Sequence, residues 1–542
     1  MLNPRSAVAY RIALITLLLV SLPYLSAILA AGTNYTFGGF LLNPVDGNSY
    51  LAKMYQGWRG DWKFTLPYSA DPGQGAYLFT FYLLLGHLAR WLGAPLLWIF
   101  HGARLLGAVA LVGMLSQFFN TLFPEGKYRG FACALACLSL GLGWLVFPFG
   151  RIASDFWVAE AFPFLSAYVN PHFAWSLALL VWLLMPAIQY PVQTQQSTWG
   201  WMHWLGVFLA SACTASMSPF AVVLALVILG GTLIWELAAQ LPARQREILS
   251  SSQTPGSIEW GGWSALCMRQ IAWIALGGIP VMSYAFFAVR QDRVLAAWNA
   301  QNLTFTPPAW DLALAFSPAL ILALPGIWLI LRGGGRSGRL LAVWAAIAFS
   351  FAFAPFGLQR RFLVGAAIPL AGLAAYGMEA IAARRRTLSK ALPAVLFALA
   401  LPTVLLVLLL GQYGVQKHDP LLYLEKSESR ALEWLVVNTP QDALVLASPR
   451  MGMYIPAHTG RRVIYGHPFE TVNAEVEMTA VEQFFVDIAS NPEDASTFLQ
   501  KRKIDFVFCE ADQPNLQELA DLPGLERVYA RDGVLIFRAA AP

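Results

Sequence analysis

Residues 391–430 read ALPAVLFALALPTVLLVLLLGQYGVQKHDPLLYLEKSESR, and the change inside that stretch decides the fold class. Positions 391–413 carry no charge and are long enough to cross the roughly 30 Å of bilayer hydrocarbon, which takes about 20 helical residues. After Lys417 the grease stops, and Glu425, Lys426, Glu428 and Arg430 follow within a few positions. A membrane body therefore gives way here to a soluble tail, and the boundary falls near Val415, which gives domains 1–414 and 415–542.

Upstream of that boundary, apolar runs of the same length recur from Ala7 onward. Over all 542 residues, 57% are hydrophobic and 12% charged, whereas soluble domains are about 45–50% apolar and about 25% charged. Runs near 8–31, 96–119, 130–149, 173–189, 201–217, 219–240, 270–289, 311–331, 340–356, 362–382 and 391–413 predict about eleven crossings. The first is too long for the core of a cleaved leader and reads as a signal anchor. With the N-terminus inside, the cytoplasmic connections hold Arg5 and Arg11, Lys127 and Arg129, Arg244 and Arg246, Arg332, Arg336 and Arg339, then Arg384, Arg385, Arg386 and Lys390. That is the positive-inside pattern, and an odd number of spans leaves the tail outside. Segment 74–92 is apolar but contains His87 and Arg90; a crossing there would invert every later loop, so an interfacial helix is expected, after a short helix at 46–58.

The formal charge of +5 reflects loop anchoring, and no nucleic-acid partner is read from it. Of five cysteines, only Cys509 lies in the tail, which excludes a disulfide framework. In the tail, expected strands at 443–448, 462–466, 504–509 and 533–537 alternate with expected helices at 429–437, 474–489, 494–501 and 516–520. This alternation predicts a small α/β domain with a mainly parallel sheet.

Ionisable groups at the edge of an apolar body are costly unless they have work to do. They collect in four segments on the expected outer side. Asp46, Tyr50 and Lys53 follow the first span; Arg151, Asp155, Glu160 and His172 lie between the third and fourth; Arg293 belongs to the third group; Arg360 and Arg361 form the last. Asp46 after the Pro44 turn suits a catalytic or metal role or a helix cap. The paired guanidinium groups suit phosphate. In the tail, Arg462, His467 and Glu470 lie in its richest polar stretch, which has no nucleophile elbow, Walker loop or dinucleotide fingerprint.

On Asp46, Arg104, the segment Arg151 to Asp155 and Arg360-Arg361-Phe362, together with the order of spans, loops and tail, the chain resembles the GT-C superfamily of membrane glycosyltransferases. That superfamily includes protein mannosyltransferases and aminoarabinose transferases. The fold implied is a polytopic α-helical membrane protein with interfacial helices and a C-terminal α/β domain. The chain departs from the mannosyltransferase pattern with Asp46-Gly47 for an Asp-Glu pair and Asp71-Pro72-Gly73 for a His-Pro-Pro run, and it lacks the Trp-Trp-Asp signature of oligosaccharyltransferases. Its tail, from Gly460-Arg461-Arg462 to His467-Pro468-Phe469-Glu470-Thr471, looks like that of bacterial members, which implies a bacterial plasma membrane.

The resemblance implies inverting transfer of a sugar from a polyprenyl-phosphate donor to a glycan, lipid or protein acceptor at the outer face. Asp46 would act as general base, and Arg360 and Arg361 would hold the donor phosphate. Tyr50, Lys53, Arg151, His172, Arg293, Arg462, His467 and Glu470 are candidates for substrate contact. A divalent metal, Mg or Mn, held by Asp46 and Asp155 would fit hard oxygen ligands. The competing readings are a lipid or solute transporter and a non-catalytic scaffold on the same body.

Overall fold

The structure is a computed structural model, which describes residues 4–124, 127–189, 200–250, 262–385 and 387–540. Arg386, one of the expected cytoplasmic arginines, lies outside them. The chain is an integral, multi-pass membrane protein. Among the described residues, six helices are long and apolar enough to cross a bilayer: Val8–Ala30, Leu96–Leu122, Pro171–Gln189, Pro219–Gln240, Gly262–Gln291 and Lys390–Lys417. At three further expected crossings stand the helices Trp201–Met217, Arg336–Ala352 and Ala367–Arg384, which do not match the six in length and apolarity.

The last two expected crossings, 130–149 and 311–331, are not straight. The first is the pair Arg129–Leu138 and Gly143–Phe149, bent by 48°, and the second is Ala309–Ala315 and Ala319–Leu331, bent by 89°. Pro318 stands at the second break, where its ring would oppose a continuing helix. At the first break Gly141 approaches another strand of backbone so closely that a β-carbon there would lie 1.9 Å from the Ala315 carbonyl oxygen. Apolar periodicity cannot reveal such a break, because both halves remain hydrophobic.

The chain divides into two compact units that do not follow chain order. One comprises Met1–Ser21, Ala103–Ser283 and Thr304–Leu409, and the other Leu22–Gly102, Tyr284–Leu303 and Leu410–Pro542. The first unit is helical and contains both bends. Its interior holds Arg104, fully buried, which donates to the carbonyls of Val20, Ala167 and Tyr168 at 3.0–3.3 Å. These bonds tie helix Leu96–Leu122 to the middle of helix Pro4–Ala30 and to the end of helix Pro163–Tyr168.

The second unit carries all the sheet. β1 (Tyr35–Phe37) pairs antiparallel with β2 (Tyr423–Glu425), a small ribbon that joins the first loop to the start of the tail. The main sheet contains β3 (Leu444–Leu446), β4 (Arg462–Val463), β5 (Phe506–Cys509), β6 (Leu525–Arg531) and β7 (Val534–Ala539), in the order β4-β3-β5-β7-β6. β3 runs parallel to β4 and β5, but β7 runs antiparallel to β5 and β6. The expectation of a mainly parallel sheet is thus corrected to a mixed one. The cause is the turn Asp532-Gly533, both at positive φ, which folds β6 directly back onto β7 as Asp-Gly hairpin turns do.

Alternation along the strands feeds two cores. On one face Val445, Phe506, Phe508 and Ile536 pack with Leu432, Met451 and Ile455 of helices Lys426–Asn438 and Pro449–Thr459. Ala52 and Tyr68 from the first loop belong to the same cluster. On the other face Leu446, Val507 and Phe537 pack with Phe484 and Leu499 of helices Ala474–Asp487 and Pro492–Arg502. Truncating one of the Leu, Ile, Met or Phe side chains among these to Ala would cost about 2–5 kcal/mol. The second unit is therefore one body, in which the loop after the first span is part of the tail's core.

The loop itself contains helix Pro44–Arg59 and helix Thr80–Leu92. The expected interfacial helix at 74–92 is shorter than predicted: Gly73 and Gly75 take positive φ, and Phe64 bridges Ala76, so the chain turns before Thr80. Beside it, the carboxylate of Asp292 caps helix Arg293–Gln301 through the amides of Val294 and Leu295, and also accepts from Gln74.

Candidate functional site

The site is built on helix Pro44–Arg59. Asn43 at φ 52° turns the chain in and Pro44 starts the helix, so Asp46 falls in its first turn rather than at the cap. A carboxylate there is stabilised by the unpaired amides of the helix start. Asp46, Ser49 and Lys53 share one face of the helix, three and seven positions apart. Opposite them stands the tail loop Gly466–Thr471, where Gly452 and Gly466 meet so closely that a β-carbon on Gly466 would lie 2.2 Å from the Gly452 carbonyl oxygen.

Two contacts join helix and loop. Lys53, fully buried, places its ammonium 2.5 Å from Glu470 Oε1 and 2.5 Å from Ser49 Oγ. The same ammonium lies over the rings of Phe79 at 4.5 Å, Tyr50 at 5.1 Å and Phe64 at 5.4 Å, contacts that favour a cation cut off from water. Burial alone would raise the Glu470 carboxyl, but Lys53 beside it holds it below the usual carboxylate range. The second contact runs from His467 Nε2 to Asp46 Oδ1, at 3.3 Å. His467 is 2% exposed, while the Asp46 side chain keeps 46% of its surface open.

The other ring nitrogen, His467 Nδ1, accepts from the amides of Phe469 at 3.0 Å and Glu470 at 3.1 Å. Thr471 closes the loop, its hydroxyl oxygen accepting from the amides of Gly466 and His467, and Gln301 donates to the Thr471 carbonyl at 2.5 Å. Tyr68, fully buried, lies 5.8 Å from the His467 ring and donates to the Met453 carbonyl. Burial, then the charges of Glu470 and Asp46, push its phenol well above the usual range. Tyr50 stacks on Tyr82 with centroids 4.3 Å apart.

The remaining candidates fall elsewhere. Arg462 donates to the carbonyls of Ala70 at 2.5 Å and Asp442 at 3.0 Å, a tie between segments. Arg293 is exposed on its helix. In the first unit, Asp155 is fully buried in the connection after the bent pair. Its Oδ2 accepts from the amides of Gly141 and Gly143, both at 3.0 Å, which are groups that the broken helix leaves unpaired. Burial pushes its carboxyl up to about 6. Next to it Ser154 bonds to Asp311 through both amide and hydroxyl.

Glu160 lies 3.6 Å from the Nε of Arg360, whose guanidinium also covers the Trp157 ring at 4.8 Å. Arg361 is exposed, and among the described residues it makes no ion pair. His172 is buried against the ring of Phe173, centroids 4.0 Å apart, and Arg151 is exposed beside Trp310.

The described residues contain no group of three or more His, Cys, Asp or Glu side chains placed to hold a metal. Asp155, half of the expected pair, gives its Oδ2 to two backbone amides. Its Oδ1 is buried without a hydrogen-bond partner.

Sequence reasoning picked out Asp46, Lys53, His467 and Glu470 one by one but missed Ser49, Tyr68, Thr471 and Gln301. The helix face shared by Asp46, Ser49 and Lys53 was the available signal for Ser49, and the polar stretch His467–Thr471 was the signal for Thr471; Tyr68 and Gln301 had none.

No protein-family model matches the chain, and no curated protein matches it in sequence. Solved structures do. The oligosaccharyltransferase of Archaeoglobus fulgidus in its apo form superposes with a TM-score of 0.57 at 14% identity, over 99% of this chain and 74% of that one. The chain has the GT-C fold. The same archaeal enzyme in complex with an inhibitory peptide and a dolichol-phosphate gives 0.55 at 15% identity over the same shares. A looser match is ArnT from Cupriavidus metallidurans bound to undecaprenyl phosphate, at 0.47 and 12% identity, over 97% of this chain and 98% of that one.

Proposed function

We propose that this protein transfers a sugar from a polyprenyl-phosphate-linked donor to an acceptor hydroxyl or amide at the outer face of the membrane, with inversion, and that Asp46 is the general base. The observation that carries the reading is the setting of Asp46: a half-open carboxylate in the first turn of a helix, fixed by a buried histidine, on a helix that is itself clamped by a buried ion pair. A base must reach both substrate and solvent, yet hold its direction. The shared fold adds weight, because the archaeal oligosaccharyltransferase was solved with a dolichol-phosphate.

In the reaction, Asp46 would accept the proton of the acceptor as the acceptor attacks the anomeric carbon from the face opposite the leaving phosphate. Negative charge then grows on the lipid phosphate. Arg361, exposed and without an ion pair among the described residues, keeps its guanidinium open to such an anion, whereas Arg360 lies beside Glu160. A guanidinium there counts toward rate because the charge develops only in the transition state. In this reading domain 415–542 lies outside the cell, with the N-terminus inside.

The test is transfer of radiolabelled sugar from a panel of polyprenyl-phosphate sugars by the purified protein in lipid, with D46N alongside. Turnover should fall by about 10²–10⁴ in the variant, the contribution typical of a general base. Turnover that D46N leaves unchanged would remove Asp46 from the role.

A further inference from the structure

We propose that His467 is a positioning residue for this transfer: a neutral imidazole, fixed by the tail loop in its Nε2–H form, that holds the Asp46 carboxylate in its working direction. The inference rests on the reading of Asp46 given above. It follows from hydrogen-bond bookkeeping at one ring. Two backbone amides, of Phe469 and Glu470, point at Nδ1 from 3.0 and 3.1 Å. A nitrogen that accepts two N–H groups presents a lone pair and carries no proton. In a neutral imidazole the other nitrogen must then be the donor. That nitrogen is Nε2, and it faces Asp46 Oδ1 at 3.3 Å. The acceptor and donor ends of the ring are thus both committed, so His467 orients Asp46 and does not relay protons.

The neighbouring contact makes this orientation rigid. Asp46 and Lys53 are seven positions apart on one helix face, and His467 and Glu470 are three apart in the loop, so the Lys53–Glu470 pair repeats the Asp46–His467 contact two helical turns along. A loop of the tail domain therefore sets the direction of a carboxylate on the first-loop helix. This assigns a purpose to the polar run at His467-Pro468-Phe469-Glu470-Thr471 that a turn alone would not require.

Two variants separate the two ends of the ring. In H467N the side-chain oxygen takes the place of Nδ1 and still caps the loop, but the side chain at 467 no longer reaches Asp46. In H467Q the amide nitrogen reaches the place of Nε2 and still donates, while the loop loses its acceptor. H467N should keep the wild-type Tm and lose roughly tenfold to a hundredfold in kcat, the scale of a misdirected catalytic group, with the donor KM unchanged. H467Q should show a lower Tm and recover most of that kcat per folded molecule. Full kcat in H467N, or equal loss in both variants, would overturn the positioning role.

An activity-free measurement separates this from failure of the transferase reading. In the full-length protein labelled with ¹⁵N-histidine, the spectral difference between wild type and H467N should show a protonated Nε2 and a bare Nδ1 at neutral pH. A protonated Nδ1 would overturn the inference whatever the activity. The expected tautomer in a protein that turns over no donor would overturn the reaction instead, and the positioning role with it.

Discussion

Asp46 keeps nearly half of its side chain open and takes a hydrogen bond from a buried ring, whereas Asp155 is sealed and gives an oxygen to two backbone amides. Both are acids in segments flanking apolar spans, and both are candidates for chemistry on that ground. Their surroundings assign them different work. A carboxylate that must take a proton from a substrate needs an open side. One that satisfies the orphaned amides of a broken helix needs the opposite, since each such amide left unpaired costs about 1–3 kcal/mol. Asp155 completes a backbone, and Asp46 keeps the open side that the proposed base role requires.

The comparison can be broken at several points. The largest effect is expected at the clamp beside Asp46. Removing one partner of a buried ion pair strands the other charge and costs about 3–5 kcal/mol, whereas replacing both with apolar groups of similar volume is often neutral. K53M and E470Q should each lower the thermal midpoint markedly, and K53M combined with E470L should recover most of it. A double variant as unstable as the singles would mean that the pair does more than balance charge.

Next comes Asp155. D155A should destabilise by about 2–4 kcal/mol through the two stranded amides. G143A should act in the same direction, because a β-carbon on Gly143 would lie 2.0 Å from Asp155 Oδ1. The acid also carries a pH signature. Its folded pKa, about 6, lies above its ordinary 3.8, so the part of its contribution to stability that depends on the proton is complete below about 4 and disappears as pH rises through about 6, while the amide contacts remain. The thermal midpoint of wild type should fall across that window relative to D155N, and parallel profiles would show that Asp155 does not titrate there.

The smallest effects belong to the arginines. R361Q should raise the donor KM several-fold with little change in midpoint. R360Q should alter stability by no more than about 1 kcal/mol, as expected for a partly open pair. The reverse assignment would move the phosphate contact to Arg360.

The sequence carried the span pattern because hydrocarbon demands length and apolarity, which any window reveals. It carried the second bend only as Pro318, and it did not carry the first, which depends on how Gly141 packs against Ala315 and on how Asp155 and Gly143 meet. Asp46 was legible from its place after a proline turn. Its partner was not, because Asp46 and His467 lie 421 positions apart and only the folded second unit brings them together. β6 was missed because three charged residues interrupt its apolar ones and none of its residues is buried, although Asp532-Gly533 signalled the hairpin. The tail looked like a separate domain because composition changes at Val415. The core formed by Ala52 and Tyr68 with the tail strands leaves no trace in composition.

The division of labour between the two aspartates is tested most directly by measuring kcat per folded molecule and thermal midpoint together for D46N and D155A. The account expects D46N to lose turnover by about 10²–10⁴ with its midpoint intact, and D155A to lose midpoint while each folded molecule keeps most of its turnover. A D46N protein that transfers sugar normally, beside a folded D155A protein that transfers none, would contradict it.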